Sequence, residues 1–172
     1  PDWGARASRR YVRRAVERSL RRLGTDHIDL YQLHRPDRIT PVEETLEALT
    51  ELVREGKIRY VGSSTLAAWQ VADAAWTARS RGLAPFVSAQ NEYSLLERRA
   101  EAELLPAAER FGVGVIPYFP LASGLLTGKY RRGAEAPANS RYAAWGITDR
   151  LTDARFDAVE RLSAYAAERS LS

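Results

Sequence analysis

Four apolar runs in this chain each close on a residue able to do chemistry, and the closing residues recur at a nearly constant interval. His34, Ser64, Gln90 and Tyr118 are separated by 30, 26 and 28 residues. The runs are IDLYQLH (28–34), IRYVGSS (58–64), FVSAQ (86–90) and VGVIPYFP (113–120), rich in β-branched and aromatic residues and read as strands. Between them lie segments with helical spacing: PVEETLEALTELVREGK (41–57), AAWQVADAAWTARSRG (67–82) and AEAELLPAAERFG (100–112). Pro106 in the last of these predicts a break or a late start. Strand–helix alternation of this kind builds a parallel sheet.

The constant βα interval selects among parallel-sheet folds. A (β/α)8 barrel carries its functional residues at the C-terminal ends of its strands, where these four stand. A doubly wound open sheet is the alternative, but it usually has a glycine-rich turn after its first strand. No G-x-G-x-x-G occurs here, and the barrel reading is favoured. Eight units need about 250 residues. The chain has 172 and supplies four strands, so residues 1–172 are expected to form a single partial domain, truncated at both ends. Alone, such a piece would expose sheet edges and would pair with the missing barrel halves of its own chain.

The flanks fit the same scheme. Ser8 is placed to cap a first helix and Gly24 to stop it. Val12, Ala15, Val16, Ser19, Leu20 and Leu23 form its apolar stripe, and Leu46, Leu49, Leu52 and Val53 that of the next helix. Eight arginines in residues 1–22 face only Asp2 and Glu17, which raises nucleic acid as a partner. Only two of the 26 basic residues are lysines, so arginine is general here, and a solvated helix face is the better reading. Neither nucleic acid nor a membrane is expected as partner. No apolar run approaches the roughly 18 residues of a membrane span, and the absence of cysteine suits a reducing cytoplasm. No metal site is expected, because His27 and His34 are the only histidines and no ligand cluster forms. The stretch from 121 to about 150 reads as a long functional loop, and DARFDAVERLSAYAAERS (153–170) as a final helix.

Four segments carry a resemblance over almost the whole chain: SLRRLGTDHIDLYQLHRPD, PVEETLEALTELVREGKIRYVGSS, AQNEYSLLERRAE and PYFPLASGLLTGKY. In order and spacing they resemble the aldo-keto reductases, nearest the bacterial branch that includes the potassium-channel β-subunits. The resemblance implies an NADPH-binding barrel that reduces a small-molecule carbonyl substrate, an aldehyde or ketone, to the alcohol. His34 matches the family's histidine that orients and polarises the carbonyl, a role suited to a neutral imidazole N–H. His27 precedes the strand and matches no functional position. Ser64 and Gln90 match the residues that hydrogen-bond the nicotinamide carboxamide, and Tyr118 the ring that stacks on the nicotinamide.

The departures from the family pattern are specific. Thr65 stands at a cofactor-binding position where asparagine or arginine is common, and Phe119 where serine is usual, which removes a hydroxyl from the pyrophosphate site. The resemblance leaves the backbone of Phe119, Pro120, Leu121, Ala122, Ser123 and Gly124 to hold the pyrophosphate, with Lys129 and Arg141 on the cofactor phosphates. GLLTGKY also approaches a nucleotide P-loop, but it is one residue short and has Tyr130 where Ser or Thr would bind magnesium. The family's general-acid Tyr and its Asp and Lys partners lie upstream of Pro1, so the 172-residue piece alone is expected to be inactive. A cofactor-sensing subunit of the channel β-subunit kind and a fragment without activity are the alternatives.

Overall fold

The structure, a computed structural model, describes residues 6–171. Helices and strands alternate through most of it: α1 (Arg9–Leu23), β1 (Ile28–Leu33), α2 (Val42–Arg54), β2 (Ile58–Ser64), α3 (Ala68–Arg81), β3 (Phe86–Glu92), α4 (Leu104–Phe111) and β4 (Gly114–Tyr118). Two further helices follow, α5 (Arg141–Trp145) and α6 (Asp153–Glu168). The four parallel strands form one sheet in sequence order, β1–β2–β3–β4, as four consecutive units of a (β/α)8 barrel would.

Local chemistry sets the element ends. Ser8 Oγ accepts the Tyr11 N–H at the start of α1, and Gly24, at φ +65°, ends it with its N–H on the Leu20 carbonyl. Arg99–Glu101 form one 3-10 turn, and α4 begins only at Leu104, so Pro106 falls in its first turn, where its missing N–H costs nothing. The expected 100–112 helix is therefore interrupted, as Pro106 foretold.

By contact the described residues fall into two compact units. One takes in the residues up to Asn91 with Arg99–Ile116. The other takes in Glu92–Arg98 and the residues from Pro117 onward.

In the first unit α1 packs on α2, α2 on α3 and on β2, and α3 on α4. Val12, Val16 and Leu20 of α1 and Leu46, Leu49 and Leu52 of α2 are buried, each contributing about 1.5–3 kcal/mol. Leu23 departs from the predicted stripe: it is 66% exposed, because Gly24 turns the chain away just beyond it. The α1 arginines are partly occupied by α2, with Arg9 and Arg13 paired to Glu51 and Arg13 also to Glu55.

The turn after β1 is built on Asp37. Its carboxylate accepts the N–H groups of Ala7 (2.6 Å), Ile39 (3.0 Å) and Thr40 (2.5 Å) and the Thr40 hydroxyl (3.0 Å). Burial opposes its ionisation, but these donors outweigh burial and hold the carboxyl below its ordinary value. A carboxyl with a lowered folded pKa stabilises above its unfolded value and loses that contribution as pH falls through the folded one. Asp37→Ala should thus lower stability by about 1–2 kcal/mol at neutral pH. Urea titrations of the two proteins should converge below pH 3.8, the ordinary aspartate value. A pH-independent difference would show that the ionised carboxylate is not what holds the turn.

The second unit gives the 121–150 stretch more order than a long loop implies. Ala122–Thr127 and Thr148–Arg150 are 3-10 turns, with α5 between them. A small core of Leu125, Tyr130, Tyr142, Phe156 and Val159 anchors them. Arg132 draws α6 in, with ion pairs to Asp153, Asp157 and Glu160 and its guanidinium 5.7 Å from the Phe156 ring centre.

Candidate functional site

Parallel pairing decides which side chains share a face, because alternate residues of a strand point the same way. Gln32 pairs with Gly62, Gly62 with Ser88, and Ser64 with Gln90. Ser64, the last residue of β2, and Gln90, two residues before the end of a β3 that runs past the expected 86–90, therefore form one row, with His34 just beyond the end of β1. Gln32, Gly62 and Ser88 form the row beneath.

Thr65 ties the upper row together. Its N–H donates to the Gln90 carbonyl at 2.9 Å and its hydroxyl to the His34 carbonyl at 3.3 Å. Ser64 Oγ donates to the same Gln90 carbonyl at 3.0 Å, which leaves its lone pairs to accept. Ser64 is 4% exposed, Gln90 half-buried and His34 exposed. The resemblance puts Thr65 at a cofactor position without the usual asparagine or arginine side chain; the structure gives it a structural task that needs neither.

That task costs strain. Thr65 sits at φ +58°, a region that β-branched residues rarely occupy. The other non-glycine residues at positive φ among those described are Phe119, Ala122, Ser123 and Ser170. All but Ser170 lie at predicted cofactor positions. Such conformations cost of order 1–3 kcal/mol each and persist where surrounding contacts over-determine them.

In the second unit those contacts are visible. The Tyr142 hydroxyl donates to the Ala122 carbonyl at 3.0 Å and the Tyr130 hydroxyl to the Ser123 carbonyl at 3.4 Å. The two rings meet edge to face, 5.0 Å apart, and burial pushes the Tyr142 hydroxyl pKa up. Gly124, at φ +94°, completes the turn. A Cβ there would lie 2.9 Å from Lys129 Nζ, so the lysine side chain occupies the space a larger residue would need.

This turn borders a cavity of about 620 Å³ lined by Phe119, Leu121, Gly124, Lys129, Arg141 and Trp145, among others. The Arg141 guanidinium lies 5.4 Å from the Phe119 ring centre and 5.0 Å from that of Trp145, within cation–π range of both. Phe119 thus supplies an aromatic seat for Arg141 where the family pattern has a hydroxyl. Tyr118 meets the Phe119 ring edge to face at 5.2 Å. Two cations, small backbone turns and aromatic walls suit a phosphate-bearing, partly aromatic ligand.

Each predicted residue can now be located. His34, Ser64, Thr65 and Gln90 share the strand ends of the first unit. Tyr118, Phe119, Pro120, Leu121, Ala122, Ser123, Gly124, Lys129 and Arg141 belong to the second, most of them on the cavity wall. Sequence reasoning missed Trp145 and the bracing role of Tyr130 and Tyr142. The sequence marks Tyr130 only as a mismatch to a P-loop, and nothing in the local pattern marks either tyrosine as buried.

Relief of strain offers a direct check on the strand-end turn. Thr65→Asn should raise stability by about 1 kcal/mol, since asparagine tolerates the left-handed region better. An unchanged or lower urea midpoint would show that the hydroxyl bond to the His34 carbonyl, which asparagine lacks, outweighs any relief of strain.

Comparison with known proteins bears on the family of the chain. The sequence model of the Aldo/keto reductase family matches residues 1–172. The uncharacterized oxidoreductase YrpG of Bacillus subtilis (strain 168) is 52% identical over 118 residues, covering 69% of this chain and 36% of that protein. Aflatoxin B1 aldehyde reductase member 2 of Mus musculus is 45% identical over 120 residues, 70% of this chain and 33% of that protein. A protein of Oryza sativa subsp. japonica described as a probable voltage-gated potassium channel subunit beta is 40% identical over 137 residues, 79% of this chain and 42% of that one. The chain spans about a third of the length of the curated relatives it matches.

Proposed function

The chain belongs to the Aldo/keto reductase family, and from that membership we propose that the full-length protein is an NADPH-dependent oxidoreductase that reduces aldehydes or ketones to alcohols. The observation that carries the reading is the concentration of left-handed, non-glycine backbone on predicted cofactor positions: Thr65, Phe119, Ala122 and Ser123. Strain held at those positions by Tyr130, Tyr142 and the β3 carbonyl is the expected mark of a preorganised ligand site.

The residues present fit the cofactor chemically. Ser64 Oγ, already donating to the Gln90 carbonyl, accepts an amide N–H, and the Gln90 side chain supplies the complementary amide. Lys129 and Arg141 neutralise phosphate charge, Lys129 as a point charge and Arg141 through its planar fork. Tyr118 offers a ring face to the nicotinamide. The reduced nicotinamide supplies the hydride. His34 donates its ring N–H to the substrate oxygen as negative charge grows there, an interaction stronger in the transition state than in the ground state. The same reading puts the protein in the cytoplasm, which suits a chain without cysteine. Among the described residues no helix is long and apolar enough to cross a membrane.

A second reading, a cofactor-sensing regulatory subunit, draws on the likeness to the rice channel subunit beta. Turnover separates the two. In the full-length enzyme His34→Ala should lower kcat by about 10²-fold with little change in NADPH affinity. Unchanged turnover on an aldehyde and ketone panel would remove His34 from the mechanism, and no turnover in the parent protein would favour the regulatory reading. Arg141→Ala or Lys129→Ala should weaken NADPH about tenfold and NADH less, because one more phosphate contact is lost. Equal weakening of both, measured by titration calorimetry, would contradict contact with the 2′-phosphate.

A further inference from the structure

We infer that Gln32, one row beneath the strand ends, is a positioning residue that orients the Gln90 amide for nicotinamide binding. The inference rests on the cofactor reading of Gln90 and adds to it a residue that the sequence pattern did not single out.

The geometry begins with the absence of a side chain at Gly62. Gln32 and Ser88 flank that glycine in the parallel register. A Cβ built on Gly62 would meet Ser88 Oγ at 2.3 Å and Gln32 Cγ at 3.1 Å. The space above Gly62 is therefore already filled by its neighbours, and Gln32 crosses it. At the end of that path Gln32 Nε2 donates to Gln90 Oε1 at 3.4 Å.

Among the described residues no other hydrogen bond holds the Gln32 amide. Its own Oε1 is buried and meets no partner among the described residues, and neither does the nearby Ser88 Oγ. A buried amide with one of its polar atoms unanswered is a poor way to stabilise a sheet, and an apolar side chain of similar length would pack there without that loss. The group makes sense through what it does for Gln90.

Gln90 has otherwise one freedom left. Its backbone carbonyl is fixed by two donors, the Thr65 N–H and Ser64 Oγ. Its side chain, half-buried at the strand end, has several rotatable bonds, and ordering it on binding costs affinity. The Gln32 contact removes that cost in advance. It engages one lone pair of Oε1 and leaves the second lone pair and both Nε2 hydrogens for a ligand amide.

The role separates from a structural one by which ligand it affects. In the full-length protein Gln32→Leu should weaken NADPH by about five- to tenfold, the loss of one positioned hydrogen bond. Binding of 2′,5′-ADP, which has the phosphates and adenosine but no nicotinamide, should stay at the parent value by titration calorimetry. The thermal midpoint should stay level or rise. In a Gln90→Ala background Gln32→Leu should have no further effect, since its target is gone.

Gln32→Glu serves as a second variant of nearly the same shape that lacks the amide donor, and it should lose NADPH affinity to the same degree. NADPH binding at the parent level in both variants would overturn the inference while leaving the cofactor reading standing. Equal loss for NADPH and 2′,5′-ADP would also overturn it, as the mark of a general packing defect. A parent protein that binds neither nucleotide would refute the cofactor reading first and this inference with it.

Discussion

The pairing of Gln32 with Gly62, of Gly62 with Ser88 and of Ser64 with Gln90 decides which side chains of the first unit stand together, and the polar character of its strand ends depends on that register. A slip by one residue would turn Ser64 and Gln90 toward the helices and bring Ser63 and Ala89 to their place. The register is held from the helix side, where Val61, Ser63 and Ala89 are buried and α2 packs on β2. Burial on one face, apolar at Val61 and Ala89, thus fixes polar placement on the other. Thr65 then locks the ends, spending backbone strain to join the carbonyls of His34 and Gln90 through one residue.

The second unit solves a different problem with the same means. A turn of consecutive left-handed residues, Ala122, Ser123 and Gly124, would not hold its shape in water. Two buried tyrosines take the carbonyls of Ala122 and Ser123, and the core around Leu125 and Phe156 keeps those tyrosines in place. The two cationic side chains, both exposed, stand beside this turn. Lys129 occupies the space a residue larger than Gly124 would need, and Arg141 lies against the rings of Phe119 and Trp145.

Much of this was legible in the residues. The interval between strand-ending residues predicted the βα repeat, and helix signals at Ser8, Gly24 and Pro106 agree with the observed ends, because each acts through its own backbone. Leu23 and the 121–150 stretch show where local reading stops. Leu23 has the right spacing for the stripe, yet burial depends on where the chain goes after Gly24. Glycine and proline in the 121–150 stretch signal irregular backbone, and irregular backbone can still carry a core once distant aromatic residues meet. Gln32 is the clearest case: in sequence it is one polar residue inside a strand, and only the register shows that Gly62 opens its way to Gln90.

The central proposal is that the strand ends of the first unit serve a reduced nicotinamide dinucleotide. Its most direct test is a titration of the full-length protein with NADPH, followed through quenching of tryptophan and tyrosine fluorescence, for the parent and for Gln90→Ala. Saturable quenching by the parent, shifted to higher NADPH concentration by loss of the Gln90 amide, is the predicted result. Quenching that never saturates, or a saturation curve that Gln90→Ala leaves in place, would contradict it.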